Sequence, residues 1–250
     1  MAGTVITIAQ QKGGAGKTTL AAHLALAWAA TGKRVAVIDI DPQASLSTWF
    51  ALRRQRVSRD RLSIDVAAIT GWRVAAEVER QARTHDVVLV DSPPHAETES
   101  RIAVRAAKLV LVPVQPSPMD MWATKATLDL ARAERVPALL VLNRVPPRAN
   151  LTEAMLATCS AFAVPVAETQ IGNRVALAAS LAEGRGILEM APRSIAAGEI
   201  QALAEEVLGA AESGFGIAPA RRSAAPDLAR DRAEPAAAED EAEKILTESA

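Results

Sequence analysis

The stretch Lys12-Gly13-Gly14-Ala15-Gly16-Lys17-Thr18-Thr19 decides the fold of this chain. An apolar run at 5–9 precedes it, and an apolar stretch of helical period at 20–30 follows it. A strand, a glycine-rich turn and a helix in this order form a cradle for phosphate. Glycines let backbone N–H groups approach phosphate oxygens that any Cβ would block, and the free N–H groups of the helix N-terminus face the same anion. The sequence therefore predicts a nucleotide phosphate site at this turn.

The side chains of the turn have separate expected roles. Lys17 is expected to bind between the β- and γ-phosphates, and the Thr18 hydroxyl to bind Mg²⁺, a hard cation that prefers oxygen ligands. Thr19 is expected to donate a hydrogen bond to the α-phosphate. The predicted nucleotide-binding residues of the turn are Gly13, Gly14, Ala15, Gly16, Lys17, Thr18 and Thr19.

Apolar runs alternate with stretches of helical period along most of the chain. The runs at 35–38, 87–90, 109–112 and 138–142 are apolar throughout, as in strands that are covered on both faces. The helical stretches lie at 20–31, 72–84, 97–107, 120–135, 151–162 and 193–209. This alternation predicts an α/β fold, a single doubly wound and mostly parallel sheet flanked by helices.

Carboxylates follow two of these runs, at the sheet edge where such folds bind ligands. Asp39 and Asp41 come after the run 35–38, and their i, i+2 spacing directs both to the same side. Asp91 ends the run 87–90, as in a Walker B strand, and is expected to accept a hydrogen bond from a Mg²⁺-bound water. No Glu follows Asp91, where many fast ATPases keep a general base. Hydrolysis is therefore expected to be slow without a stimulator.

The general P-loop pattern begins with glycine, but here Gln11 stands at that position and Lys12 follows it. A lysine at this place marks the deviant Walker A motif, and on this motif the chain resembles the ParA/MinD family of P-loop ATPases, above all the short ParA-type partition and positioning ATPases. The resemblance extends over residues 1–210 and implies ATP and Mg²⁺ as cofactors. It implies that Asp41 positions the hydrolytic water and that Asp39 supports the metal and Lys12. It also implies that Asn143 binds adenine, for which an amide offers both a donor and an acceptor.

The resemblance further implies a switch. In the family the signature lysine, here Lys12, reaches a nucleotide held by a second subunit, so a homodimer is expected with ATP and is lost after hydrolysis. Lys12, Lys17 and Asp41 are the expected catalytic residues of a weak ATPase that a ParB-like or cargo-bound protein stimulates. The expected cargo is a plasmid, a chromosome or a protein cluster.

Non-specific DNA binding is the second implied property of the dimer. Arginines pair with phosphates without base preference, and the family places its DNA surface in the C-terminal third. The candidate contacts there are Arg174, Arg185 and Arg193. Arg174 ranks first, because the string 171–174 is similar to one that recurs in the family.

Composition bounds the location and the domains. The lone Cys159 suits a reducing cytoplasm, and no apolar run approaches the ~18 residues of a membrane span. We therefore expect a cytoplasmic protein without membrane contact, and the resemblance implies that it is nucleoid-associated. Residues 221–250 carry 5 of the 28 basic and 8 of the 29 acidic side chains. Residues 1–220 therefore carry 23 basic and 21 acidic side chains, so the body of the chain is slightly basic and its tail is acidic. We predict an ATPase domain at 1–213 and a disordered Ala/Glu/Asp-rich tail at 214–250.

Three other functions share this fold. A MinD-like membrane-cycling ATPase needs a basic amphipathic C-terminal helix, and the tail here is too acidic. A nitrogenase iron protein needs two cysteines per subunit, and only Cys159 is present. A conjugation-associated DNA-processing accessory ATPase stays open, and a preference for one DNA sequence would distinguish it.

Overall fold

The computed structural model describes residues 2–57, 62–94, 97–147, 159 and 162–214. Within these ranges the helices and strands, in chain order, are β1 (Thr4–Ile8), α1 (Lys17–Ala30), β2 (Val35–Asp39), α2 (Ser45–Arg56), β3 (Ile64–Ala68), α3 (Arg73–Ala82), β4 (Val87–Asp91), α4 (Glu97–Ala106), β5 (Leu109–Val114), α5 (Pro118–Ala133), β6 (Ala138–Val145), β7 (Ile171–Gly172), α6 (Val175–Ala182), α7 (Ile187–Met190) and α8 (Ile195–Ser213).

The seven strands form one sheet in the order β3-β2-β4-β1-β5-β6-β7, and all of its pairs are parallel. β1 lies in the middle of the sheet. All of its residues are buried, because helices cover both faces of a parallel sheet. The strands β2 and β3 lie toward one edge and β5 to β7 toward the other. The loop after β1 is therefore at a topological switch point, where such sheets bind ligands. This architecture confirms the predicted doubly wound sheet.

Alternate residues of the strands pack against two helical layers. On one face Ile6, Ile8 and their neighbours pack with α1, α2 and α8. On the other face, β2 and β4 pack with α3, and β5 and β6 pack with α5. α1 is buried along nearly its whole length, and Trp28 Nε1 donates a hydrogen bond to the Ala204 carbonyl of α8 at 2.9 Å. The helix that follows the phosphate loop is thus fixed between the sheet and the last helix.

Five elements were not predicted from the sequence: α2, β3, β7, α6 and α7. The helix predicted at 151–162 lies outside the described residues except for 159 and 162. α8 ends at Ser213 with Gly214 in a left-handed conformation, and the predicted tail beyond it lies outside the described residues. Among the helices that the structure describes, none combines the length and the apolar character of a membrane span.

Candidate nucleotide-binding site

The loop between β1 and α1 has the open geometry of an anion cradle. Gly14 and Gly16 have φ angles of 78° and 90°, which L side chains rarely adopt. A Cβ added to Gly13 or Gly14 would meet no heavy atom within 4 Å, so the loop leaves space beside its backbone. A Cβ on Gly16 would lie 2.4 Å from Nδ2 of Asn143. Gly16 is therefore required both by its backbone angle and by the side chain packed against it.

Lys17 begins α1, and its side chain turns back toward the loop. Nζ donates a hydrogen bond to the Gln10 carbonyl oxygen at 3.0 Å, and the residue is only 7% exposed. Burial lowers the pKa of the Lys17 ammonium, while the carboxylates of Asp91 and Asp41 act to raise it. The ammonium is therefore held partly desolvated, where it attracts an anion more strongly than it would in water.

Thr18 and Asp91 form a pair of oxygen donors between α1 and β4. Thr18 Oγ1 donates a hydrogen bond to Asp91 Oδ2 at 2.8 Å. Asp91 Oδ1 is buried without a hydrogen-bond partner among the described residues. Burial raises the pKa of Asp91 to about 7; the Thr18 hydrogen bond opposes this rise, and the charge of Asp39 adds to it. A buried carboxylate with an unused oxygen beside a hydroxyl is suited to a magnesium ion.

The two carboxylates that follow β2 have different surroundings. Asp39 is buried and in register with Asp91 on the neighbouring strand. Its Oδ1 accepts a hydrogen bond from Asp41 N at 3.2 Å, and its Oδ2 accepts one from Ser47 N in the first turn of α2 at 2.8 Å. Asp41 is only half-buried, and its Oδ1 accepts a hydrogen bond from Gln43 N at 2.9 Å. Asp39 therefore holds the loop and α2 in place, while Asp41 is the carboxylate with access to solvent.

Asn143, in the last part of β6, packs against the phosphate loop. Its Nδ2 donates a hydrogen bond to the Ala15 carbonyl at 2.8 Å, and its Oδ1 accepts one from Arg144 N at 3.0 Å. Arg144 has a left-handed φ of 56° at an irregularity in the pairing of β6 with β7. Binding of adenine by Asn143 stays a prediction, and it requires these amide atoms to exchange partners.

The inner face of α5 carries buried polar residues that the sequence analysis did not identify. We call them the α5 seam: Asp120, Thr124 and Thr127. Gln10 Nε2 donates a hydrogen bond to Thr124 Oγ1 at 3.0 Å. Gln11 N donates one to Thr127 Oγ1 at 3.2 Å, and the Lys12 ammonium binds the Asp120 carboxylate. The seam could have been found from its i, i+4, i+7 spacing, which places the three polar side chains on one helix face.

His23 joins the helix of the phosphate loop to the C-terminal third of the chain. Its Nδ1 accepts a hydrogen bond from Ile187 N at 3.3 Å, so its Nε2 is the protonated nitrogen that donates to the Leu177 carbonyl at 3.2 Å. Burial lowers the pKa of His23 to about 4, against a rise caused by the Leu177 hydrogen bond and the charge of Glu189. His23 is therefore a neutral packing residue that bridges α1, α6 and α7.

The three arginines predicted to contact DNA differ in their surroundings. Arg174 forms a two-pronged ion pair with Glu199, in which Nε donates to Oε2 at 2.9 Å and Nη2 donates to Oε1. Arg185 and Arg193 are exposed, and neither has an ion pair within the described part of the chain. Arg174 is thus the least available of the three to a phosphate of DNA.

The donor set around the loop fits a magnesium nucleotide. Mg²⁺ usually keeps several waters and takes only one or two protein groups together with substrate phosphates. Thr18 and Asp91 supply such groups beside the glycine cradle. Across the described ranges, no three His, Cys, Asp or Glu side chains cluster to hold a metal ion by themselves. The site thus suits a metal that arrives with its nucleotide.

Known proteins resemble this chain in both sequence and fold. The maintenance of carboxysome distribution protein A of Halothiobacillus neapolitanus is 29% identical over 210 residues, which cover 81% of this chain and 95% of that protein. The chromosome-partitioning ATPase Soj of Thermus thermophilus is 32% identical over 235 residues, covering 81% and 94%. The fold matches an ATP complex of a Cyanothece McdA variant with a TM-score of 0.69 and 17% identity, covering 83% of this chain and 97% of that one.

The family model for the CobQ/CobB/MinD/ParA nucleotide binding domain matches residues 6–187, a span that contains the phosphate loop, both carboxylate-bearing strand ends and Asn143. The match covers well over half of the chain and includes every strand of the sheet except part of β1. Together with the cradle geometry, it shows that the chain belongs to the CobQ/CobB/MinD/ParA family of nucleotide-binding ATPase domains.

Proposed function

We propose that this protein is an ATP-dependent dimerising switch that binds DNA non-specifically and positions or segregates a cargo. One observation carries the proposal: two lysines, Lys12 and Lys17, occupy the same phosphate loop, and each is held by oxygen atoms of its own chain. Lys17 already stands at the start of α1, where it can bind the phosphates of a nucleotide held by its own subunit. The second is available for a nucleotide in another copy, which would make the triphosphate part of a two-fold interface.

The residues of one subunit divide the binding work. Lys17 and the loop N–H groups hold the β- and γ-phosphates, and the free N–H groups of α1 add their positive end. Thr18 and Asp91 would hold Mg²⁺, Asp91 by accepting a hydrogen bond from a water, and Asp39 keeps the neighbouring loop in place. When bound, Mg²⁺ supplies positive charge that stabilises the transferred phosphoryl group.

Slow, partner-stimulated hydrolysis follows from the carboxylates. Ser92, which stands directly after Asp91, is buried, and its hydroxyl donates a hydrogen bond to the Ile8 carbonyl at 2.9 Å. It cannot act as a base. Asp41 is the carboxylate left to orient a water, and its Oδ1 is engaged by Gln43 N. We expect a ParB-like or cargo-bound partner to shift this loop and release Asp41 for that role.

The cargo and the DNA are proposed on the names of the relatives and on charge. The relatives include a chromosome-partitioning ATPase and a protein for carboxysome distribution, which favours a plasmid, a chromosome or a protein cluster as cargo. Arg185 and Arg193 are exposed and available to phosphates. A cytoplasmic, nucleoid-associated protein would result.

Two measurements test the proposal. Light scattering after size exclusion is expected to give a dimer with Mg²⁺ and a non-hydrolysable ATP analogue, and a monomer with ADP. Retention on non-specific duplex DNA is expected with ATP only, and to weaken as salt rises. Lys12→Ala and Asp41→Ala serve as matched variants, the first expected to abolish the dimer and the second to abolish stimulated turnover. The proposal would be overturned if the protein stays monomeric at a saturating concentration of the ATP analogue. It would also be overturned if DNA binding is the same with ATP, with ADP and without nucleotide.

A further inference from the structure

Asp120 lies at the point where the α5 seam meets Lys12. Its Oδ2 accepts hydrogen bonds from the Lys12 ammonium and from the Ser117 hydroxyl. Its Oδ1 is buried and has no partner among the described residues. Lys12 is the cation that compensates this carboxylate, since Ser117 is neutral.

The two ends of this ion pair are unequally buried. The Asp120 side chain is 1% exposed, whereas that of Lys12 is 36% exposed. Asp120 is fixed in the first turn of α5, where its backbone N–H also bonds the Ser117 hydroxyl at 3.2 Å. Lys12 has a flexible four-carbon stem and reaches solvent. If the pair separates, the lysine is therefore the side that moves.

Separation leaves a buried carboxylate without a cation, which costs free energy. The cost is less than for a fully buried pair, because solvent reaches the Lys12 end. In the proposed dimer the ammonium has to donate to a triphosphate held by the second copy. It leaves Asp120 only when that anion attracts it more strongly. A γ-phosphate adds charge and acceptor oxygens that a diphosphate lacks. The cost of separating Lys12 from Asp120 is the same for both nucleotides, so ATP offsets it more fully than ADP does.

We propose that Asp120 is a latch for Lys12, which holds the ammonium on its own subunit and competes with the triphosphate of a second copy. The inference rests on the proposed function and adds a regulatory residue to it. Asp120 touches no reacting atom and acts through Lys12, so it is a positioning residue.

The first test measures dimerisation of the full chain with Mg²⁺ and a non-hydrolysable ATP analogue, and separately with ADP. Asp120→Asn keeps the size of the side chain and removes its charge. We expect half-dimerisation of D120N at about tenfold lower protein concentration than wild type, as for a lost pair of modest strength, and measurable dimer with ADP. Asp129→Asn is the matched control: Asp129 lies on the same helix in solvated pairs with Lys125 and Arg132, and D129N is expected to behave as wild type.

The second test needs no dimer. In nucleotide-free protein, Lys12→Ala is expected to lower the melting temperature by ~3 °C or more, because it leaves Asp120 uncompensated. Adding Asp120→Asn to the Lys12→Ala variant is expected to restore most of the lost melting temperature. Adding Asp129→Asn to it is expected to restore none.

The outcomes separate the latch from the proposed function. If wild type dimerises and D120N dimerises no more readily, the latch is wrong and the switch stands. If the melting temperatures show the coupling but no variant dimerises, the pair exists and the switch is wrong, and with it the latch. Weaker dimerisation of D120N would also overturn the latch, because it would mean that Asp120 presents Lys12 to the nucleotide.

Discussion

Two sets of cationic side chains in this protein have opposite roles. The loop lysines, Lys12 and Lys17, contact oxygens at the sheet edge that is expected to receive a nucleotide. A second set, which we call the arginine struts, pairs with acidic residues of the same chain: Arg53 with Glu189, Arg56 with Glu183 and Arg174 with Glu199. We propose that the lysines serve a ligand, although Lys12 also pairs with Asp120, whereas the struts join α2 to the α6–α7 segment and the start of α6 to α8.

Arg53 shows most clearly what separates the two sets. Its guanidinium is 1% exposed and binds Glu189 through both terminal nitrogens, at 2.7 and 2.9 Å, and also donates to the Gly184 carbonyl at 3.1 Å. In the sequence it stands in an arginine-rich segment that follows Trp49 and Phe50, where a polyanion contact is an obvious reading. A run of basic residues therefore identifies a charge, and only the fold shows whether that charge faces solvent or the interior.

The largest expected effect is on the lysine side of the comparison. Lys17→Ala is expected to weaken ATP binding by about a thousandfold, because several charge-assisted hydrogen bonds are lost at once. The free energy of unfolding is expected to stay level or rise, since burial disfavours the ammonium in the nucleotide-free protein. Titration calorimetry and urea unfolding measure the two quantities. A large loss of stability would show that Lys17 is as much a structural residue as the struts.

The next largest effect concerns the arginine struts. Here we expect a large change in the free energy of unfolding and a small change in nucleotide affinity. Arg53→Ala is expected to reduce the free energy of unfolding by about 4 kcal/mol, because Glu189 and the Gly184 carbonyl lose a buried partner. Nucleotide affinity of the folded protein is expected to change less than threefold. Arg54→Ala, at an exposed neighbouring position of the same helix, is the control and is expected to shift stability by less than ~0.5 kcal/mol. Equal losses in both variants would remove the distinction between strut and surface arginine.

The central strands and the phosphate loop could be predicted because their signals are local. Solid apolar runs identify strands buried on both faces, and eight consecutive residues carry the whole loop motif. β3 was not predicted because it is a half-buried edge strand. Its sequence, Ile64–Ala68, includes the exposed Asp65 and is not apolar throughout. An edge strand needs apolar residues only where it meets its neighbours.

α2 escaped for a different reason. Its buried residues Leu46, Phe50 and Arg53 have the correct i, i+4, i+7 spacing, but the third member is an arginine whose partner Glu189 is far away in sequence. Its N-cap, Ala44, supplies no side-chain acceptor; Asp39 accepts the hydrogen bond of Ser47 N instead. Both the buried face of α2 and the hydrogen bond at its N-terminus depend on residues that are distant in sequence. A short stretch of sequence therefore shows neither of them.

The same distinction applies to the site. Lys17, Thr18 and Asp91 lie close together, because their motifs stand at the carboxyl ends of the neighbouring parallel strands β1 and β4. Lys12, in the same loop, binds Asp120 of α5 instead. The α5 seam and the hydrogen bond from Asn143 to the loop were not predicted. Their partners lie more than 100 residues away, so only the order of the strands brings them together.

A third prediction concerns His23, which connects the two regions. Its pKa is lowered from 6.5 to about 4, so below pH 6.5 the unfolded chain binds a proton that the folded chain refuses. Stability is thus expected to fall as the pH drops from 6.5 to 4, by up to about 3 kcal/mol. Urea unfolding across this range measures the loss.

His23→Gln should lose most of this acid dependence, because it removes the group that the folded chain holds unprotonated. An unchanged acid slope in the His23 variant would mean that other groups uncouple α1 from α6 and α7 at low pH.

The smallest effects concern the arginines proposed to contact DNA. The exposed arginines are expected to affect DNA binding, and the ion-paired arginine is expected to affect stability. Arg185→Ala and Arg193→Ala are each expected to weaken ATP-dependent DNA retention a fewfold and to reduce the slope of log affinity against log salt by about 1, as for one lost phosphate contact. Arg174→Ala is expected to leave that slope unchanged and to reduce stability by about 1 kcal/mol, because its guanidinium is already engaged by Glu199. If Arg174→Ala alone reduces the salt slope, the ion pair opens on DNA, and a strut can also serve a ligand.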